Sequence, residues 1–199
     1  MTGKNNAGQI GSAEPPSRAK IIDETRVWLE KAVIGLNLCP FAKAVHAADR
    51  IRYCVSDARS QNALAADLSR ELLALQAADP QTCETTLLIH PHVLSDFLEY
   101  NDFLDVADAT VAALGLTGEI QVASFHPLYR FADTGPDDIE NFTNRSPYPM
   151  LHLLRESSIG RAMLAAPDSA SIYERNIETL RRLGHEGWRS LWRTEPSHD

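Results

Sequence analysis

TTLLIHPH, Thr85 to His92, is the stretch that decides how this chain folds. Its first five residues form a short continuous apolar or β-branched run, the pattern of a buried strand. Pro91 follows at once. Proline has no amide hydrogen to give a central ladder, so the strand must finish at His90. The same ending recurs downstream in EIQVASFHP, Glu119 to Pro127, where a second apolar run closes on His126-Pro127.

Between these two strands, Phe97, Tyr100, Leu104, Val111 and Leu114 recur at helical spacing, and Gly115 supplies a stop. Asp96, Glu99, Asp102, Asp105 and Asp108 fall mostly elsewhere and read as a solvated face. Upstream, Ile51 to Val55 alternates weakly as a first strand. A helix bearing Leu64, Leu68, Leu72 and Leu75 then runs to the break at Asp79-Pro80. Strand, helix, strand, helix, strand in this order predicts parallel pairing through right-handed crossovers.

At the N-terminal side, Ile22, Leu29, Val33 and Leu36, with Trp28, predict an amphipathic helix over roughly residues 20–36, and Asn37 stops it. After His126 comes a long irregular segment to Pro149, in which PDDIENF can form a helical turn; connections of this length are often functional. MLHLL, Met150 to Leu154, reads as a fourth strand or as the opening of the helix over 155–166. A last helix carries Tyr173, Ile177, Leu180 and Leu183, with capping-box spacing at Ser171 and Glu174 and a stop at Gly184. The expectation is an α/β or α+β fold: a single domain with a mixed sheet of about four strands and flanking helices in three layers. Residues 1–19 are expected as a flexible tail, 20–188 as the globular domain and 189–199 as a C-terminal tail that includes His198, with His185 beside it.

The chain has 199 residues, and its 44% hydrophobic and 23% charged composition suffices for one core. No apolar run approaches the ~20 residues of a membrane span, and no secretory leader is visible. Three cysteines without close pairing argue against a disulfide framework or a cysteine-rich zinc module, and point to reduced thiols in the cytoplasm. A formal charge of -8 sets most of the surface against nucleic acid and anionic membranes. The arginines Arg181, Arg182, Arg189 and Arg193 read as a solvated helix face and tail.

Chemistry is expected where the two His-Pro strand ends meet. If the strands are parallel neighbours, His90 and His126 emerge at one sheet edge, where ligands of open α/β sheets sit. His92, two residues after His90, points to the same side in extended chain. With His126 it would complete a three-histidine set with an open position, and His152 is a fourth candidate. Imidazole donors suit zinc or iron(II).

Cys39 has two readings. Trailing the first helix, it is inert; as N-cap of a new helix beginning at Pro40, with Lys43 and His46 near, it is a reactive thiol. Cys54 reads as core and Cys83 as turn-adjacent. Arg145, within NRSPYP, can fork onto an anionic substrate or lock the loop onto DDIEN.

WLEKAVIGLNLCPFAKAV, TTLLIHPHVLSDFLEYNDFLD, VASFHPLYRFADTGPDDIENFTNRSPYPMLHLLRE and YERNIETLRRLGHEGW together resemble a proteobacterial conserved domain-of-unknown-function family, indexed fourteen-fifteen, over about Ile22 to Trp188. Cys39-Pro40, His90-Pro91-His92, His126-Pro127, Asn144-Arg145-Ser146-Pro147 and His152 stand among its recurring words. The resemblance implies a bacterial, single-domain, cytoplasmic protein of unassigned role. Three functions stay open from the residues: a small metal-dependent enzyme acting on an anionic small molecule, a thiol-dependent enzyme or redox protein using Cys39 with His126 or His46 as base, and a non-catalytic binding or scaffold protein.

Overall fold

A computed structural model describes residues 15–165 and 172–193. Ser17 caps the first helix, α1 (Arg18–Trp28), by accepting the Lys20 N–H at 3.3 Å, which buries Ile21, Thr25 and Trp28 on one side. The helix does not continue regularly to residue 36. From Leu29 to Ile34 it widens into a π-helical turn, in which the Gly35 N–H reaches back to the Glu30 carbonyl at 2.9 Å. This phase change keeps Leu29, Ala32 and Val33 on the buried side. Asn37, at φ 54°, ends the run as the sequence predicts. A short helix, α2 (Ala42–Ala47), follows and buries none of its residues.

The strands β1 (Ile51–Val55), β2 (Thr85–Ile89), β3 (Ile120–Phe125) and β4 (Met150–Arg155) form one mixed sheet in the order β1-β2-β4-β3. The predicted parallel pairing holds for β1 and β2. It fails for β2 and β3, because β4 inserts between them and runs antiparallel to both. MLHLL is therefore a strand, and a central one. Since β2 and β3 still point the same way, His90 and His126 emerge at the same edge without their strands touching.

One face of the sheet is closed by α3 (Gln61–Ala77) and α4 (Phe97–Ala113). Leu64, Leu68, Leu72 and Leu75 of α3 are fully buried with Tyr100, Phe103, Leu88, Leu151 and Leu153. Each such leucine contributes about 2 kcal/mol, so this seam anchors the helix. Asp96 caps α4 through the N–H groups of Leu98 and Glu99, a specific use for the first acid of the series read as a solvated face.

The opposite face carries α1, the π-turn and the final helix α6 (Ile172–Ser190), with Leu87, Ile89, Met150, Leu180 and Trp188 buried among them. Gly184, at φ 64° and ψ 175°, breaks α6 but does not end it; a further turn brings His185 and Trp188 against Phe142. The helix thus extends past the Trp188 boundary read from the sequence. Helix α5 (Glu156–Ala165) follows β4 directly. Ser171 of the expected capping box and His198 lie outside the described residues. The whole is a single α+β domain.

The long segment after His126 is ordered around the 3-10 turn Ile139–Thr143. Asn141, fully buried, accepts from the Phe131 N–H at 3.0 Å and the Thr134 hydroxyl at 2.8 Å, and donates to the Gly135 carbonyl at 2.8 Å. Arg181 of α6 holds Glu140 at 2.7 Å.

Candidate functional site

The sheet edge where β2 and β3 end gathers two of the predicted histidines around Tyr100. Its ring centroid lies 5.8 Å from that of His90 and 4.9 Å from that of His126. Their nitrogens, however, serve the backbone. The Leu128 N–H donates to His126 Nδ1 at 3.0 Å, so Nε2 carries the proton and donates to the Leu94 carbonyl at 3.1 Å. His90 Nδ1 donates to the Val93 carbonyl at 3.0 Å, which leaves Nε2 buried and unpartnered. Both rings therefore clasp the turn between β2 and α4, in which Leu94 holds φ 58°. Burial is the main cause that lowers both pKa values, that of His90 to about 4.

His92 is half-buried in that turn. His152 faces the other side of the sheet, so the four histidines do not form one donor set. Among the described residues, no group of three or more His, Cys, Asp or Glu side chains is placed to hold a metal ion. At the shared edge each ring spends one nitrogen on a backbone carbonyl, His90 Nδ1 on that of Val93 and His126 Nε2 on that of Leu94.

Arg145 is held by its own loop, on either side of DDIEN. It donates from Nε to the Tyr129 carbonyl at 3.3 Å and from Nη2 to the Pro136 carbonyl, and its guanidinium lies 4.2 Å from the Phe142 ring centroid. Its own carbonyl accepts from Trp28 Nε1 at 2.8 Å. These contacts lock the loop to itself and to α1.

On the face carrying α1 and the π-turn, the sheet floors a cavity of about 870 Å³. The volume lies within the range of small-molecule sites. Sequence reasoning missed this cavity, although it found two of its residues, Cys39 and His152. In the middle of the floor, His152 stands in register with Leu87 on one side and Ala123 on the other. The Thr85 hydroxyl donates to the Leu153 carbonyl at 2.6 Å, so it must accept from His152 Nε2 at 2.7 Å. That fixes the tautomer and leaves Nδ1 as an acceptor. Burial pushes the His152 pKa down to about 4, keeping the ring neutral.

Cys39 stands in the wall, just before α2. The helix starts at Ala42, two residues later than predicted, but the N–H groups of Phe41 and Ala42 do approach the sulfur. Burial outweighs them and raises the thiol above its ordinary value, so Cys39 is a protonated thiol at neutral pH. Lys43 is exposed, and His46 Nε2 lies 3.2 Å from the Glu30 carboxylate. Cys54, in β1, is pushed up to about 11, first by burial and then by the Glu71 carboxylate.

This arrangement sits in a chain that belongs to the family described as Protein of unknown function (DUF1415), which matches residues 20–190. No curated protein and no solved structure matches the chain. Among the described residues, no helix is long and apolar enough to cross a membrane.

Proposed function

We propose that this protein binds a small, largely apolar molecule in the cavity between the sheet and the layer of α1, the π-turn and α2. One observation carries the reading: in the middle of β4, where an aliphatic residue would complete the core, the chain places a neutral His152 held in one tautomer by Thr85. A fixed polar group in a mostly apolar hollow is how ligand sites set orientation. Trp28, Leu29, Val33 and Phe125 supply the apolar walls. The π-turn in that wall fits the same reading, because such turns are frequent at functional sites. We place the protein in the cytoplasm, where its three free thiols stay reduced. With its net charge of -8, nucleic acid and anionic membranes are not among its partners.

The test is to fill the hollow. Ala123 lines the floor opposite His152, and Ala123→Phe puts a ring into the cavity without adding a polar group. Titration with anilinonaphthalene sulfonate, followed by its fluorescence, is expected to show saturable binding to the parent chain. Binding to the variant should be at least ~10-fold weaker, a change of about 1.4 kcal/mol, with cooperative unfolding retained. A folded Ala123→Phe protein that binds the dye as well as the parent would overturn the reading.

A further inference from the structure

We infer that the molecule bound here is a phenol: an aromatic body whose hydroxyl donates a hydrogen bond to His152 Nδ1 in the middle of the cavity floor. The inference rests on the reading of the cavity as a ligand site, and adds the chemical class of the ligand and the atom that recognises it.

Side chains alternate along β4, so Met150, His152 and Leu154 face the cavity layer while Leu151 and Leu153 join the core under α3 and α4. The His152 ring, in register between Leu87 and Ala123, is therefore committed to this side. Its Nε2 is spent on Thr85, and that bond cannot reverse, because the Thr85 hydroxyl hydrogen goes to the Leu153 carbonyl. Among the described residues Nδ1 has no hydrogen-bond partner, yet it does not belong to the polar atoms sealed from solvent. The residue keeps accessible surface although β4 is a central strand, and that surface opens into the cavity. His90 is the contrast: its unpartnered Nε2 is sealed, out of reach of any ligand.

The free position on His152 is a lone pair, and a lone pair selects what can face it. Ketones, ethers and carboxylates bring only acceptors. An ammonium group has protons to give but would surrender its hydration to the apolar walls of Trp28, Leu29, Val33 and Phe125. A hydroxyl supplies the donor without a charge. The walls then select the body. Trp28 and Phe125 meet edge to face, with centroids 5.3 Å apart, and the Phe125 ring lies 6.1 Å from that of His152. The indole N–H of Trp28 is taken by the Arg145 carbonyl at 2.8 Å, so this residue offers a ligand its ring and no competing donor. Aromatic rings pair favourably in such tilted arrangements, and a phenol joins a ring to the hydroxyl that Nδ1 lacks.

Calorimetric titration of the full chain with para-propylphenol and para-propyltoluene, which exchange a hydroxyl for a methyl group, tests this in the parent and in His152→Leu. The variant puts an aliphatic side chain into the floor, and the Thr85 hydroxyl keeps the Leu153 carbonyl as its acceptor. Each compound's own preference for an apolar site is common to both proteins, so the ratio of the two affinities isolates the hydrogen bond. The preference for the phenol over the toluene is expected to fall at least ~10-fold in His152→Leu. An unchanged ratio, with Ala123→Phe still abolishing both compounds, would overturn the assignment of the donor while the cavity reading stands. Should His152→Leu not fold, NMR of the parent with isotope-labelled histidine nitrogens decides: the Nδ1 resonance should move upfield with the phenol and stay in place with the toluene. A resonance that ignores the bound phenol, or para-propylbenzoate binding more tightly than the phenol, overturns the inference. If none of these compounds binds, the cavity reading fails and this inference with it.

Discussion

Protonating His90 or His152 inside this fold would set a cation against aromatic and aliphatic neighbours, which is why burial lowers each ring from the 6.5 of a free imidazole to about 4. A lowered histidine pKa has a definite consequence for stability. Between those two values the unfolded chain holds protons that the native chain lacks, so stability rises with pH there. The contribution is complete above about pH 6.5 and is lost as the pH falls towards about 4, by roughly 3 kcal/mol for each ring at most. Urea unfolding should therefore show a midpoint that falls between about pH 6.5 and pH 5, above the range in which paired carboxylates such as Glu71 are protonated. His152→Gln, which keeps a polar group for Thr85 but does not titrate, should flatten that slope in part, since His90 and His126 are lowered as well. An unchanged slope in the variant would mean that His152 does not sense burial as its neighbours require. The same residue shows what a sequence conceals. That a histidine stands in MLHLL is plain, but its hydrogen-bond partner Thr85 lies 67 residues away, and the choice between ligand, base and clasp depends on that partner.

At the scale of elements, the π-turn from Leu29 to Ile34 has the most specific requirements. Widening the helix there brings the backbone at Gly35 so close to the previous turn that a Cβ built on it would lie 2.3 Å from the Lys31 carbonyl oxygen. The glycine is needed for this approach, since its φ of -62° suits any residue. Gly35→Ala must then push the turn back toward α-helix or move it outward, at a cost of about 1–3 kcal/mol, the usual penalty for overpacking. Because Leu29 and Val33 wall the cavity, the same substitution should weaken dye binding more than its stability loss explains. Thermal melts and dye titration on one preparation measure both; a variant as stable as the parent would show that the turn relaxes freely. The first helix was legible as far as Trp28 because its apolar spacing is regular. The π-turn was not, since one extra residue per turn changes hydrogen bonding while barely disturbing a loose apolar pattern. Gly184 carries the local signature of a stop and breaks α6 without ending it; the turn beyond follows from Trp188 packing on Phe142, a tertiary contact without local signature.

Across the whole molecule, the two faces of the sheet differ in kind. The identity of β1, β2 and β3 and the ending of β2 and β3 at His-Pro could be read from apolar runs and prolines, because those are properties of single segments, whereas MLHLL suits a strand or a helix opening equally. The insertion of β4 between β2 and β3 could not be read, since strand order is decided by contacts between distant segments. The cavity was hidden for a related reason: a hollow is space left by Ala123, Thr85 and a turn of altered pitch, residues that mark nothing individually. On the α3 and α4 face, a continuous set of fully buried leucines and aromatics ties both helices to the sheet. On the other face, α2 buries none of its residues and borders the cavity. Local opening follows buried apolar contact, so α2 should exchange its amide hydrogens by local fluctuation, while α3 and α4 exchange only with global unfolding. Hydrogen exchange read by mass spectrometry is expected to find peptides covering Ala42–Ala47 exchanging at least ~100-fold faster than those covering Leu64 to Leu75. Occupying the cavity with dye should slow the α2 peptides without changing those of α3 beyond the overall gain in stability. Equal protection of α2 and α3 in the free protein would show that the cavity face is as rigidly packed as the leucine seam, and that ligand entry must use another route.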